Sequence, residues 1–74
     1  MADYQPAYEA LTQALAADVL NDALNALMLR CLGKLGWRQK LSEHYDRYRQ
    51  RLAEELGIDP TPEIRALYAE LIQD

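Results

Sequence analysis

Cys31, His44 and the alternating arginines Arg47, Arg49 and Arg51 are the side chains of this sequence with the most chemical scope. A thiol and an imidazole could hold a metal or form a nucleophile–base pair, and clustered guanidinium groups could grip phosphate. The spacing supports none of these. His44 is the single histidine, and the carboxylates stand at no recognisable metal-ligand interval. Glu43 and His44 are adjacent, so on a helix they point different ways. Cys31 is the single cysteine, which rules out an internal disulfide; beside Met28, Leu32 and Leu35 it reads as an ordinary buried thiol in a reducing compartment. Alternate residues diverge on a helix, and Glu43, Glu54 and Glu55 share the surface with the three arginines. No carboxylate pair sits in an apolar setting to serve as general acid and base. Gly33 and Gly36 are not followed by the Gly-Lys-Ser/Thr pattern of a phosphate loop. The expectation is a non-enzyme with no metal and no cofactor.

Charge distribution points the same way. The net charge of the 74 residues is -4. Residues 1–36 carry a net -2, residues 37–56 a net +1 and residues 57–74 a net -3. A phosphate backbone tracking the basic middle would meet repulsion from both flanks, so direct nucleic-acid contact is not expected. No apolar run approaches the roughly 20 residues that span a bilayer, and no secretory signal follows Met1. A cytoplasmic protein with no membrane contact is expected. A domain of this size buries only about 60–65% of its unfolded surface, which leaves little stability in reserve.

The elements that position these side chains are helical. Leu and Ala dominate the apolar half, there is no Phe, and apolar residues recur at three- and four-residue steps. A first helix is expected from about Pro6 to Ala17, with Ala7, Leu11, Ala14 and Leu15 as its stripe and Tyr8 on the shoulder. Asn21 or Asp22 caps a second helix, whose face of Leu24, Leu27, Met28, Cys31, Leu32 and Leu35 is broad enough for packing on two sides. Gly36 turns the chain into a third helix from Trp37 or Arg38 to Leu56, with Leu41, Tyr45, Tyr48, Leu52 and Leu56 on one side. Glu43–Arg47 and Arg51–Glu55 are opposite charges four apart, each pair worth a few tenths of a kcal/mol. Gly57 ends that helix. Thr61, Pro62 and Glu63 are a cap, a first-turn proline and a first-turn acid for a last helix that buries Ile64, Leu67, Tyr68 and Leu71, with Ile72 extending that face.

A shift of 34 residues places Ala7 on Leu41, Leu11 on Tyr45 and Ala14 on Tyr48, with Asp3-Tyr4 on Trp37-Arg38. A two-helix period of this length marks tetratricopeptide-type units, which must stack to cover their apolar faces. The expected fold is all-α: about four helices as tetratricopeptide-like antiparallel hairpins in a right-handed stack. It forms a single helical domain over 1–74, with a partial repeat at 3–20, a full repeat at 21–56 and a capping helix at 61–73. The first unit lacks its leading helix, which leaves one face of the first helix to be covered by more of a larger protein or by another molecule.

The runs Leu35-Gly36-Trp37-Arg38 and Tyr45-Asp46-Arg47-Tyr48, and above all LAEELGIDPTPEIRALY from Leu52 to Tyr68, strongly resemble the bacterial transcriptional activator domain. That is the tetratricopeptide-like domain behind the winged helix of antibiotic-regulatory-type regulators. The resemblance covers about residues 18–72. Departures are the missing upstream helices, Leu41 in place of a small residue, and His44 at a position usually apolar. The resemblance implies a regulatory module that acts through protein contacts, by self-association as a homodimer or by contact with another protein, with the winged helix itself having no counterpart here. The alternative is a helical fragment that supports an adjacent domain and has no partner of its own. Aromatic and arginine side chains carry much of the energy of protein interfaces, so Trp37, Arg38, Tyr45, Tyr48 and Arg49 are the candidate contact residues. Trp37 also has the plainer role of covering the end of the helical hairpin.

Overall fold

Four helices make up nearly all of the computed structural model, which describes residues 4–73: α1 (Tyr4–Ala17), α2 (Asp22–Leu35), α3 (Arg38–Leu56) and α4 (Pro62–Gln73). Helix α1 already includes Tyr4, two residues before the expected start. Pro6 still falls in the first turn, where its missing N–H has no intrahelical partner to lose. The start of the partial repeat at Asp3 lies outside the described residues.

The caps explain the boundaries. Asn21 Oδ1 accepts from the Leu24 N–H at 3.0 Å and opens α2. At its other end Gly36 takes a left-handed φ of 75°. There the Gly36 N–H donates to the Gly33 carbonyl and the Trp37 N–H to the Leu32 carbonyl, the paired bonds of a Schellman turn. Gly57, at φ 66°, closes α3 with a bond to the Ala53 carbonyl. Thr61 Oγ1 then accepts from the Ile64 N–H at 3.3 Å, and buried Pro60 holds the corner from inside.

The architecture is a tetratricopeptide-like stack of four helices. α2 is its centre and packs against α1, α3 and α4, one neighbour more than its apolar face had suggested. α4 folds back as the proline-bearing corner requires, yet it lies mainly on α2 and touches α3 more lightly. Gly33 makes that approach possible: a β-carbon there would sit 2.7 Å from Leu71 Cδ2. α1 and α3 both lean on α2, and α2 lies between them.

The core consists of Leu15, Met28, Leu29, Leu32, Leu41, Tyr48, Leu52 and Ile64, with Leu11, Leu24, Leu67, Tyr68 and Leu71 packed on its edge. Three expected core positions differ. Ala7 is exposed, Leu27 is 48% exposed and Leu56 is 58% exposed. Leu27 lies about 100° of helix rotation from Met28, on the margin of its stripe, and Leu56 is the last residue of α3. In their place Leu29 is fully buried, because a third neighbour, α4, covers a side of α2 that a two-sided helix would leave wet. Leu41 is also fully buried, so the bulk that departs from the small residue of the repeat is accommodated inside.

Candidate interaction surface

α3 has two working edges. Residues 38, 45, 49 and 56 recur near a seven-residue interval and share the edge that faces α4, while 40, 44, 47 and 51 share the edge that faces α1. Contacts bear this out. Tyr45 stacks on Tyr68 of α4 with ring centroids 4.0 Å apart and planes 3° from parallel, and the Ser42 and Tyr68 hydroxyls bond at 3.0 Å. Burial raises the Tyr45 phenol above its usual range, although Arg49 and Arg65 nearby pull the other way. Exposed Arg38 and Arg49 line this edge, and Arg49 pairs loosely with Asp46 at 3.6 Å. Leu56 and Ile58, the latter 51% exposed, extend it past the end of the helix.

The other edge forms one wall of a groove of about 290 Å³ between α1 and α3, floored by α2. Leu15, Met28, Leu32 and Tyr48 make its apolar base. A buried polar cluster closes one side. Asn25, 1% exposed, donates from its Nδ2 to the carbonyls of Val19 and Asn21 at 3.0 and 2.8 Å. Two carbonyl acceptors fix the amide orientation, so Asn25 Oδ1 must accept from His44 Nε2, 2.9 Å away. His44 is therefore held with its proton on Nε2 when neutral. Burial, with a smaller contribution from the Arg47 charge, lowers its pKa below the ordinary histidine value. The Tyr48 hydroxyl donates to Asp22 Oδ1, and burial together with that bond raises the phenol pKa. Among the described residues no buried side-chain nitrogen or oxygen lacks a partner.

The five residues named from sequence do not form one patch. Arg38, Tyr45 and Arg49 belong to the α4 edge. Trp37 lies on the opposite side, half-buried, with Tyr8 of α1 edge-on at 5.2 Å and the Lys40 ammonium 5.8 Å from its ring. There it ties α1 to the α2–α3 turn, close to the covering role read from the sequence. Tyr48 is 3% exposed and belongs to the core, so no partner can reach its ring. One expected ion pair, Arg51–Glu55, forms at 3.9 Å, whereas Glu43 accepts from Gln39 instead of meeting Arg47. Cys31 is buried as expected, its Sγ 3.1 Å from the Tyr4 carbonyl and its pKa raised by burial.

Asn25 was not singled out by sequence reasoning. A polar residue at a core position of an otherwise apolar helix face is the signal that would have found it. No group of three or more His, Cys, Asp or Glu that could hold a metal occurs among the described residues, and no helix there is long and apolar enough to cross a membrane.

A stack of paired helices with open edges and a groove between them defines a protein-binding class of fold. Within that class the chain belongs to the family of the bacterial transcriptional activator domain, whose model matches residues 1–72. The match extends the resemblance read from residue 18 back to residue 1, so α1 belongs to the family pattern as well. Domains of this family are protein-interaction modules. No curated protein and no solved structure matches the chain.

Proposed function

We propose that this chain is a non-enzymatic assembly module of a bacterial transcriptional regulator and that it works by self-association as a homodimer through the α3–α4 edge. The observation that carries the reading is the composition of that edge. Leu56 and Ile58 expose more than half of their surface at the C-terminal end of the edge, with Arg49 and the Tyr45–Tyr68 stack further along it and Arg38 at its other end. Large apolar side chains framed by arginine and rigid aromatic rings are what interface centres use. A two-fold contact brings the same patch against itself, so one exposed leucine meets its own copy and a single substitution acts twice.

Sedimentation velocity over a concentration series tests this. The wild-type sedimentation coefficient should rise toward that of a dimer, and Leu56→Asp should hold the protein at the monomer value while its circular dichroism stays helical. A wild-type monomer at every concentration would overturn the homodimer and favour the alternative of a helical segment that supports an adjacent domain.

A further inference from the structure

We propose that the groove between α1 and α3 is a second docking site, distinct from the α3–α4 edge, and that its occupant is an acidic amphipathic helix of another protein.

The two walls are opposite in character. Along α1 the wall runs from Tyr8 through Thr12 to Ala16 and on to Val19 in the turn that follows, with no charged group; along α3 it runs through Lys40, His44, Arg47 and Arg51. The α3 wall covers 12 residues, a rise of about 16 Å or three turns of helix, and the helical part of the α1 wall, residues 8–16, rises about 12 Å. A partner helix of three to four turns laid between them would meet apolar surface on one flank and positive charge on the other. Val19 is 37% exposed, Thr12 and Ala16 are exposed and Tyr8 is half-buried, so the α1 wall itself offers the apolar contact, above the covered core side chains Leu15 and Met28.

Charge complementarity selects the occupant. Lys40 and Arg47 have no carboxylate within ion-pair distance among the described residues, and Arg51 has only the exposed Glu55 at 3.9 Å. Glu43 is the one acid on the wall, and Gln39 engages it at 3.4 Å. A concentration of cations on a chain of net charge -4 is a local departure from the rest of the molecule. It favours a partner that carries carboxylates along one side. The cavity of about 290 Å³ falls just below the roughly 300–1,000 Å³ of small-molecule sites. It is long and open, which suits the row of side chains on a helix face better than one compact ligand. A nucleic acid would meet the flanking acidic segments as well as the cations, so a protein helix is the better fit.

Fluorescence anisotropy with a labelled synthetic peptide tests the site. The peptide is about four helical turns long, with leucines at i, i+3, i+4 and i+7 and glutamates along one flank. Binding to the full chain should weaken by about tenfold or more when lysines replace the glutamates, and by a similar factor in the Arg47→Glu, Arg51→Glu double variant. Arg47→Ala alone should give a smaller loss in the same direction, which covers the case in which the double variant fails to fold. Leu56→Asp should bind the peptide as the wild type does. Equal binding of the acidic and basic peptides, tighter binding of a short DNA duplex, or no effect of Arg47→Ala would each overturn the proposal. The two readings separate cleanly: loss of peptide binding with the dimer intact removes only the groove site, and peptide binding by a strict monomer removes only the homodimer.

Discussion

The two edges of α3 solve the same packing problem in opposite ways. Toward α4 the contact is dry and aromatic, with Tyr45 flat against Tyr68 and a single hydroxyl pair, Ser42 and Tyr68, at its margin. Toward α1 the helices stay apart, and the space is bridged from below by a polar cluster of Asn25, His44, Tyr48 and Asp22. The dry edge is a light contact held by one ring stack and one hydroxyl pair. The polar edge holds by satisfied hydrogen bonds, and each member becomes expensive once its partner is lost. The lesson is that one helix can anchor a core on one side and keep a groove open on the other, because a buried amide, Asn25, holds the floor in place where the two walls do not touch.

Leu41 stands between the two edges and is fully buried, so Leu41→Ala should damage both. The expected loss is about 2–5 kcal/mol, enough to unfold much of so small a domain at room temperature, and urea denaturation followed by circular dichroism measures it. Asn25→Leu separates the edges. It removes the acceptor for His44 and the donor for the Val19 and Asn21 carbonyls, at a loss of about 1–3 kcal/mol. Hydrogen exchange should show faster opening in the first turn of α2 and the middle of α3, with α4 little changed relative to them. Tyr68→Ala probes the dry edge alone. Loss of the stack should release α4 amides first, with about 0.5–1.5 kcal/mol attributable to the ring pair beyond the area it covers.

The smallest effect is a titration. Because the folded-state pKa of His44 lies below its ordinary value of 6.5, the unfolded chain binds the proton more tightly. Stability is then fully present above pH 6.5 and declines as pH falls from there toward the depressed folded value. His44→Gln should flatten that part of the pH–stability curve, and the imidazole resonance in a proton NMR titration should move only below the usual histidine range. An unshifted His44 titration would mean that its side of the groove is wet.

Much of the fold was legible along the chain. Gly36, Gly57, Asn21, Thr61 and Pro62 mark helix ends through local backbone chemistry, which acts within a few residues and therefore reads directly from sequence. The stripes of Leu15, Met28, Leu32, Leu41, Leu52 and Ile64 were legible for the same reason, since helical period alone assigns them to one side. The candidate surface was legible only in residue type. Tyr45, Arg38 and Arg49 share an edge, whereas Tyr48, one step from Arg49, turns inward, and Trp37 serves the other side. A difference of one residue rotates a side chain by about 100°, and which of those directions is solvent depends on where the neighbouring helices lie.

Sequence alone determined four helices, most of their ends, the proline corner and the tetratricopeptide-like stack, all consequences of short-range geometry and periodic burial. Tertiary structure decided what lies between them: that α2 rather than α3 receives α4 across Gly33, that Leu29 and Asn25 are sealed while Leu27 and Leu56 face water, and that a cation-lined groove separates α1 from α3. Those outcomes depend on contacts among helices distant along the chain, and helical period specifies which side of a helix is apolar without specifying what will cover it.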